Sequence, residues 1–215
     1  MNYELLEALI QGKKEQFEQA ADQIWGFAEM RYQEFQSAQL QKDLLRREGF
    51  EIEEDLGGIP TAFRAKAGSG RPVVGLLGEF DALPQLSQKA DLTRPEPENP
   101  GAPGHGCGHN LLGAGCMQAA VAVKDYLLEH PCQGTVIYYG CPAEEGGAGK
   151  AFMVREGCFE DCDVCLAWHP YSATFASVSS LANARIIYNF TGKSAHAAAA
   201  PHLGRSALDA VELMN

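Results

Sequence analysis

The chain has no cluster of lysine or arginine. Its 17 basic residues are outnumbered by 28 acidic ones, giving a net charge of −11 and a pI near 5.0. A surface of that sign repels a phosphate backbone, so nucleic acid is set aside as a partner. No apolar run approaches the roughly 18 residues needed to cross a bilayer, so no membrane partner is expected. The opening Met1-Asn2-Tyr3-Glu4 is charged within four residues and passes into an amphipathic pattern, which is not that of a signal peptide. There is no internal repeat and no low-complexity tract. Seven cysteines, an odd number spread through expected strands and helices, do not read as a disulfide framework and fit a reducing, cytoplasmic compartment. With 46% apolar residues, 215 positions suffice for one large domain, or one domain and part of a second.

What is present begins with a helical pattern from Leu5 to about Met30 (Leu6, Leu9, Phe17, Ala20, Ile24, Phe27), then a second helix from Ser37 to Arg47 stopped by Gly49. Two alternating strands, Phe50 to Leu56 and Thr61 to Ala67, flank the turn Gly57-Gly58-Ile59-Pro60. Pro72 to Gly78 is a continuous apolar run, the pattern of a strand buried on both faces, and it runs into Glu79-Phe80-Asp81. After a Pro- and Asp-rich loop from Gln85 to Pro103, the spacing predicts a helix over 111–128 with Leu112, Ala119, Val123 and Leu127 on its apolar face. A second buried strand, Gly134 to Gly140, leads to Glu144-Glu145, and a third, Asp163 to Trp168, leads to His169. Strand alternating with helix argues an α/β fold with a mostly parallel mixed sheet flanked by helices. Beyond Ala182 the pattern changes to a strand over 185–190, a small-residue loop carrying His196, and a helix over 203–215 whose apolar face (Leu208, Val211, Leu213, Met214) has nothing to bury it. The expectation is a first domain over 1–182 and the start of a truncated second domain over 183–215.

The stretch Gly104-His105-Gly106-Cys107-Gly108-His109-Asn110 sets a thiol and two imidazoles among glycines. With carboxylates at two strand ends and a histidine at a third, it forms a mixed donor set suited to Zn²⁺, Mn²⁺ or Co²⁺. Cys107, His109, Glu145 and His169 are the candidate ligands. Adjacent carboxylates let one hold metal while its neighbour, Glu144, handles protons in a metal-assisted hydrolysis. Spacing alone leaves Asp81 open as a strand-end cap and His169 as an ordinary loop histidine. His105 reads as a loop residue, His130 as a partner of a helix C-terminus, and Cys116, Cys132, Cys141, Cys158, Cys162 and Cys165 as packing residues.

The motifs Gly78-Glu79-Phe80-Asp81-Ala82-Leu83-Pro84, Gly106-Cys107-Gly108-His109-Asn110, Pro142-Ala143-Glu144-Glu145-Gly146 and Trp168-His169-Pro170 together resemble the M20 family of metallopeptidases and amidohydrolases, in its amidohydrolase branch. The runs Met153 to Gly157 and Pro201 to Val211 carry the same likeness, which covers essentially the whole chain. It implies a zinc-peptidase-like catalytic domain followed by a smaller α+β lid used for homo- or hetero-dimerisation. It implies two divalent ions (Mn²⁺ or Zn²⁺) on Cys107, His109, Glu145 and His169, with Glu144 as general base and Asp81 orienting the ligands. His196 would stabilise the oxyanion in a partner's site. A further ligand histidine in the family comes from a portion after the lid, so weakened metal binding is expected of these 215 residues. The expected reaction is hydrolysis of an N-acyl or N-aroyl amino-acid amide, p-aminobenzoyl-glutamate being the substrate it points to. An aminoacylase or dipeptidase activity, or a fragment that binds metal without catalysis, are the alternatives.

Overall fold

The computed structural model describes residues 3–176, 179, 181, 182, 184 and 186–214. They fall into two compact units, Met1–Ser172 and Ala173–Asn215.

The first unit opens with α1 (Tyr3–Gln11) and α2 (Lys14–Phe27), two helices where the apolar spacing predicts one. Gly12 and Lys13 break the run: glycine costs about 1 kcal/mol in a helix interior, and Lys13 leaves helical geometry at φ −124°, ψ 8°. Helix α2 buries Phe17, Ala20, Ala21 and Ile24, one stripe at helical spacing. Helix α3 (Phe35–Arg47) starts two residues earlier than its own pattern suggests. Its cap comes from outside the helix: the Glu29 carboxylate accepts the N–H groups of Gln36 (3.0 Å) and Ser37 (2.8 Å), two of the orphan donors of the first turn.

Five strands form one sheet: β1 (Glu51–Glu54), β2 (Phe63–Ser69), β3 (Val73–Glu79), β4 (Gly134–Cys141) and β5 (Val164–Leu166), in the order β1-β2-β4-β3-β5. The β3·β4 and β3·β5 pairs are parallel, while β1·β2 and β2·β4 are antiparallel. The sheet is therefore mixed, as expected, with its antiparallel share coming from the opening hairpin, which turns its second strand against β4. Strand β4 is buried throughout. Val136 and Tyr138 join the core under α2, α3 and α4, while Ile137 and Tyr139 join a second cluster with Leu56, Ile59 and Met153 on the other face. That alternation is the period-two geometry of a strand covered on both sides. Each such side chain contributes about 1.5–3 kcal/mol by leaving water. Strand β3 is only partly buried, because its outer neighbour β5 has three residues, all exposed.

The crossover from β3 to β4 is α4 (His109–Glu129). Among the described residues it is the one helix with the length and apolarity to cross a membrane, yet its buried residues lie in the core beside α2 and the sheet. Its buried stripe includes Leu112, Cys116, Met117, Ala120 and Val121, whereas Ala119 and Val123 are exposed. Nearly uniform apolarity hides the true face from periodicity. The last helices of this unit are the irregular single turn α5 (Glu144–Gly147) and α6 (Gly149–Arg155).

Where β2, β4 and β3 lie side by side, Gly140 is paired with both Phe63 and Gly78. A Cβ on Gly140 would lie 2.2 Å from Cε1 of Phe63, whose ring is fixed between Phe80 and Tyr138. Gly140→Ala is expected to destabilise the fold by about 1–3 kcal/mol through overpacking, read in a calorimetric melt as a Tm lower by roughly 3–10 °C.

The second unit holds a 3-10 turn (Pro201–Leu203), a bridge between Lys193 and Arg205, and α7 (Ala207–Met214). Helix α7 is capped by Ser206, whose Oγ accepts the Asp209 N–H at 3.0 Å and donates to its carboxylate at 2.8 Å. The strand expected over 185–190 does not form: residues 186–190 are exposed and make no ladder with any described residue, so their β-branched and aromatic composition finds no partner strand. Arg185 and Asn215 lie outside the described residues.

Candidate metal centre

Strand β3 delivers its last residue, Glu79, and two positions on Asp81, to the edge of α4; Phe80 between them is fully buried in the core. Helix α4 starts at His109 behind Gly108, whose φ of 82° suits glycine. The imidazole of His109 is completely buried and clasped from both sides. Its Nδ1 donates to Asp81 Oδ1 at 3.0 Å, with the Asp81 carbonyl at 3.1 Å. Its Nε2 faces Glu79 Oε2 at 3.0 Å and Glu144 Oε2 at 3.8 Å. A carboxylate on one ring nitrogen fixes the tautomer and aims the other nitrogen's lone pair, the arrangement by which histidines are presented to cations.

His169, just beyond β5, repeats the device. Its Nδ1 donates to the Pro170 carbonyl at 2.9 Å, leaving Nε2 3.4 Å from Cys107 Sγ. The rings of His109 and His169 meet edge to face, 5.6 Å between centroids. The Glu145 carboxylate lies near enough to Cys107 to act on its thiol, and the Glu145 backbone N–H donates to Asp81 Oδ2 at 2.8 Å. Asp81 thus holds His109 with one oxygen and the Glu144-Glu145 turn with the other.

The donor set fits a divalent cation. Ligand atoms of Cys107, His109 and His169 lie within 4.8 Å of one another, as do those of Glu79, His109 and Glu144. His109 Nε2 and Glu79 Oε2 form a buried ion pair at 3.0 Å, and Glu145 Oε1 is buried without a hydrogen-bond partner. Two donors sharing one ion at about 2.1 Å stand about 3.0–3.4 Å apart, so the same 3.0 Å spacing that pairs protonated His109 with Glu79 also suits both as donors to one cation once that proton leaves.

Electrostatics tell the same story. Burial works against the imidazolium of His109, but its bonds to Asp81 and Glu79 outweigh it and push the group up to about 10. Burial would raise Glu79, yet His109 and Lys150, whose ammonium contacts its Oε1, bring it down to about 2. Burial, then the nearby Glu145 carboxylate and the charges of Glu144 and Glu79, push the Cys107 thiol up to about 12. Glu144 is raised from the usual carboxylate range by burial and by the charge of Glu79. The pocket holds more negative charge than its own cations balance.

Cys107, His109, Glu145, His169, Glu144 and Asp81 are therefore all brought to one place. His105 stands apart as scaffold, buried with Nε2 3.0 Å from the Ile24 carbonyl and stacked on Trp25, and burial drives it down to about 4. His196 belongs to the second unit, where its Nδ1 accepts the N–H groups of Ala198 (3.2 Å) and Ala199 (3.1 Å). Glu79 was visible in the sequence as a second strand-end acid. Its contact with His109, and the role of Lys150, depend on tertiary packing that no local pattern announces.

The model of peptidase family M20/M25/M40 matches residues 75–204, more than half of the chain. The chain is 49% identical over 213 residues to one of the subunits of p-aminobenzoyl-glutamate hydrolase from Escherichia coli K12, covering 99% of this chain and 44% of that protein. It is 36% identical over 165 residues to the Xaa-Arg dipeptidase of Mus musculus, covering 73% of this chain and 34% of that one. It spans less than half the length of either relative. Among solved structures, a dinuclear metal-binding peptidase from the M20 family of Bacillus subtilis aligns with a TM-score of 0.60 at 21% identity, over 80% of this chain and 44% of that one. An aminobenzoyl-glutamate utilization protein from Klebsiella pneumoniae aligns at 0.57 and 20% identity, over 76% and 45%, and both likenesses bear on the fold. With its motif residues gathered at one end of such a sheet, the chain is a member of peptidase family M20/M25/M40.

Proposed function

We propose that the protein is a metal-dependent amidohydrolase that cleaves the amide of an N-acyl or N-aroyl amino acid, p-aminobenzoyl-glutamate to p-aminobenzoate and glutamate in the first instance. The observation that carries this reading is the pair of imidazoles tied at Nδ1, with both Nε2 atoms turned toward the Cys107 thiol and the carboxylates of Glu79 and Glu144. The 49% identity to the E. coli hydrolase chain supports the substrate.

Cys107, His109, Glu145 and His169 would hold two divalent ions, Mn²⁺ or Zn²⁺, which when bound lower the pKa of water and polarise the amide carbonyl. Everything else falls to the chain. Glu144, its side chain 42% exposed at the mouth of the site, accepts the proton of the attacking water and passes it to the departing amine nitrogen. Its upward shift suits that task, since a stronger base holds the proton long enough to deliver it. Asp81 keeps His109 and the Glu144-Glu145 turn in register. Residues 183–215 begin the lid and dimerisation domain, and His196 stabilises the oxyanion in a partner's site. The E. coli relative is named as one of two kinds of hydrolase chain, and a homolog of the other kind, from Haemophilus influenzae, is 35% identical over 113 residues. Both support a partner that is either the same or a related chain. Seven free thiols support a cytoplasmic setting.

A dipeptidase reading has the mouse relative in its favour. The test is turnover by protein stripped with a chelator and reloaded with Mn²⁺ or Zn²⁺, offered p-aminobenzoyl-glutamate, N-acyl amino acids and Xaa-Arg dipeptides. Ion-dependent release of p-aminobenzoate, faster than any other product, is expected. Faster dipeptide cleavage would favour the second reading, and no turnover with either ion would defeat both.

A further inference from the structure

Among the described residues the loop between α2 and α3 makes no hydrogen bond to Cys107 or the histidines, yet it grips both acid-bearing segments of the site. The Glu29 carbonyl accepts the Ala82 N–H at 2.8 Å, next to Asp81, and Met30 bridges Ala82 as a parallel strand would. Three further residues seize the turn that carries Glu144 and Glu145. Arg31 Nη1 donates to the Glu145 carbonyl at 3.3 Å, and the Tyr32 hydroxyl donates to the Gly147 carbonyl at 2.6 Å. The Glu34 carboxylate accepts the Ala143 N–H at 2.9 Å.

Glu34 is the centre of this grip. It is completely buried. Its Oε1 also accepts the Tyr32 N–H at 2.9 Å, and its Oε2 accepts the Thr61 hydroxyl at 3.0 Å. Among the described residues no cation pairs with it. A buried acid served only by neutral donors is costly unless those bonds hold something in place. What they hold is Ala143, which sits in the left-handed region at φ 57° immediately before Glu144, and Ala148 on the far side does the same at φ 54°. Alanine does not rest there unaided.

We propose that Glu34 is a positioning residue for the hydrolysis, acting through the Ala143 amide to fix the direction in which Glu144 and Glu145 leave the turn. The proposal rests on the reading of Glu144 as general base and Glu145 as ligand, and adds the part that sets their geometry. Since Glu34 makes its contacts through oxygen acceptors, an amide of the same shape can replace it: Gln keeps one oxygen for Tyr32 and Ala143 and offers N–H to a reversed Thr61 hydroxyl. Asp keeps the charge but withdraws it by one methylene.

The test uses the Mn²⁺-loaded protein for kcat and KM and the ion-free protein for amide hydrogen exchange, with Glu34→Ala, Glu34→Asp and Glu34→Gln. Glu34→Ala and Glu34→Asp are expected to lower kcat by about 10- to 100-fold with KM within about twofold. The Ala143 and Glu145 amides should exchange at least about tenfold faster, while those of Val136 to Tyr139 stay protected. Glu34→Gln should recover most of kcat and of the protection. If Glu34→Ala does not fold, Glu34→Asp takes its place. Wild-type kcat and exchange in Glu34→Asp would overturn the proposal, as would exchange that rises equally through β4, or a Gln variant as impaired as Asp. Should the wild type itself fail to hydrolyse any amide, the functional reading falls, while the exchange of Ala143 and Glu145 still decides whether Glu34 holds the turn.

Discussion

Glu144→Gln is expected to lower kcat by about 10²–10⁴-fold, the range for loss of a positioned general base, and to leave affinity for Mn²⁺ nearly unchanged. The side chain keeps its shape and its exposed position at the mouth of the site, and only the basic oxygen is lost. Its nearest approach to His109 Nε2 is 3.8 Å, against 3.0 Å for Glu79, so Glu79 is the better placed of the two to share an ion with that nitrogen. Calorimetric titration with Mn²⁺ beside steady-state turnover separates the roles, and a loss of affinity as large as the loss of kcat would make Glu144 a ligand instead. The pH profile has a definite sign as well. As the proposed general base Glu144 would work deprotonated, and its pKa lies above the usual carboxylate value, so activity is expected above that pKa and should fall as pH drops through it.

Loading the site with a divalent ion at pH 7 should release about two protons, because thiol and imidazole bind metal only in their deprotonated forms. In the ion-free protein His109 is an imidazolium between Asp81 and Glu79, pushed up to about 10, and Cys107 is a thiol pushed up to about 12. Apparent affinity should therefore rise by about 100-fold per pH unit near neutrality. Titration in buffers of different ionisation enthalpy measures the protons directly. Cys107→Ser should release one fewer and bind at least about 100-fold more weakly, a thiolate being the softer and stronger donor. Release of fewer than one proton by the wild type would show that the site is already deprotonated before the ion arrives. Stability follows from the same groups. A raised imidazole pKa stabilises the ion-free fold fully below about 6.5, and that contribution disappears as pH rises through about 10. Glu79, held near 2, adds stability above about 4.5 that is lost as pH falls toward 2.

The parts legible in the sequence are those in which local pattern and tertiary demand coincide. The stripe Phe17, Ala20, Ile24 could be read because one helix face meets one core. The run Thr135 to Tyr139 could be read because its strand is covered on both sides. Cys107, His109 and His169 were readable as ligand types, but their common target was not, since it depends on Nδ1 contacts to Asp81 and to the Pro170 carbonyl. The antiparallel β2·β4 pair, the remote cap of α3 by Glu29 and the grip of Glu34 on Ala143 all join residues far apart in the chain. The true buried face of α4 was obscured for the opposite reason, an excess of apolar residues on every side.

That helix begins at His109, and one turn later Gly113 lies so close to β3 that a Cβ there would stand 2.8 Å from the Glu79 carbonyl oxygen. A larger residue at 113 would lift the start of the helix from the strand end, parting His109 from its two carboxylates. A genetic screen for lost hydrolysis would thus return lesions in an apolar stretch that carries no reactive group. Selection for chemistry is written there as selection for the want of a methyl.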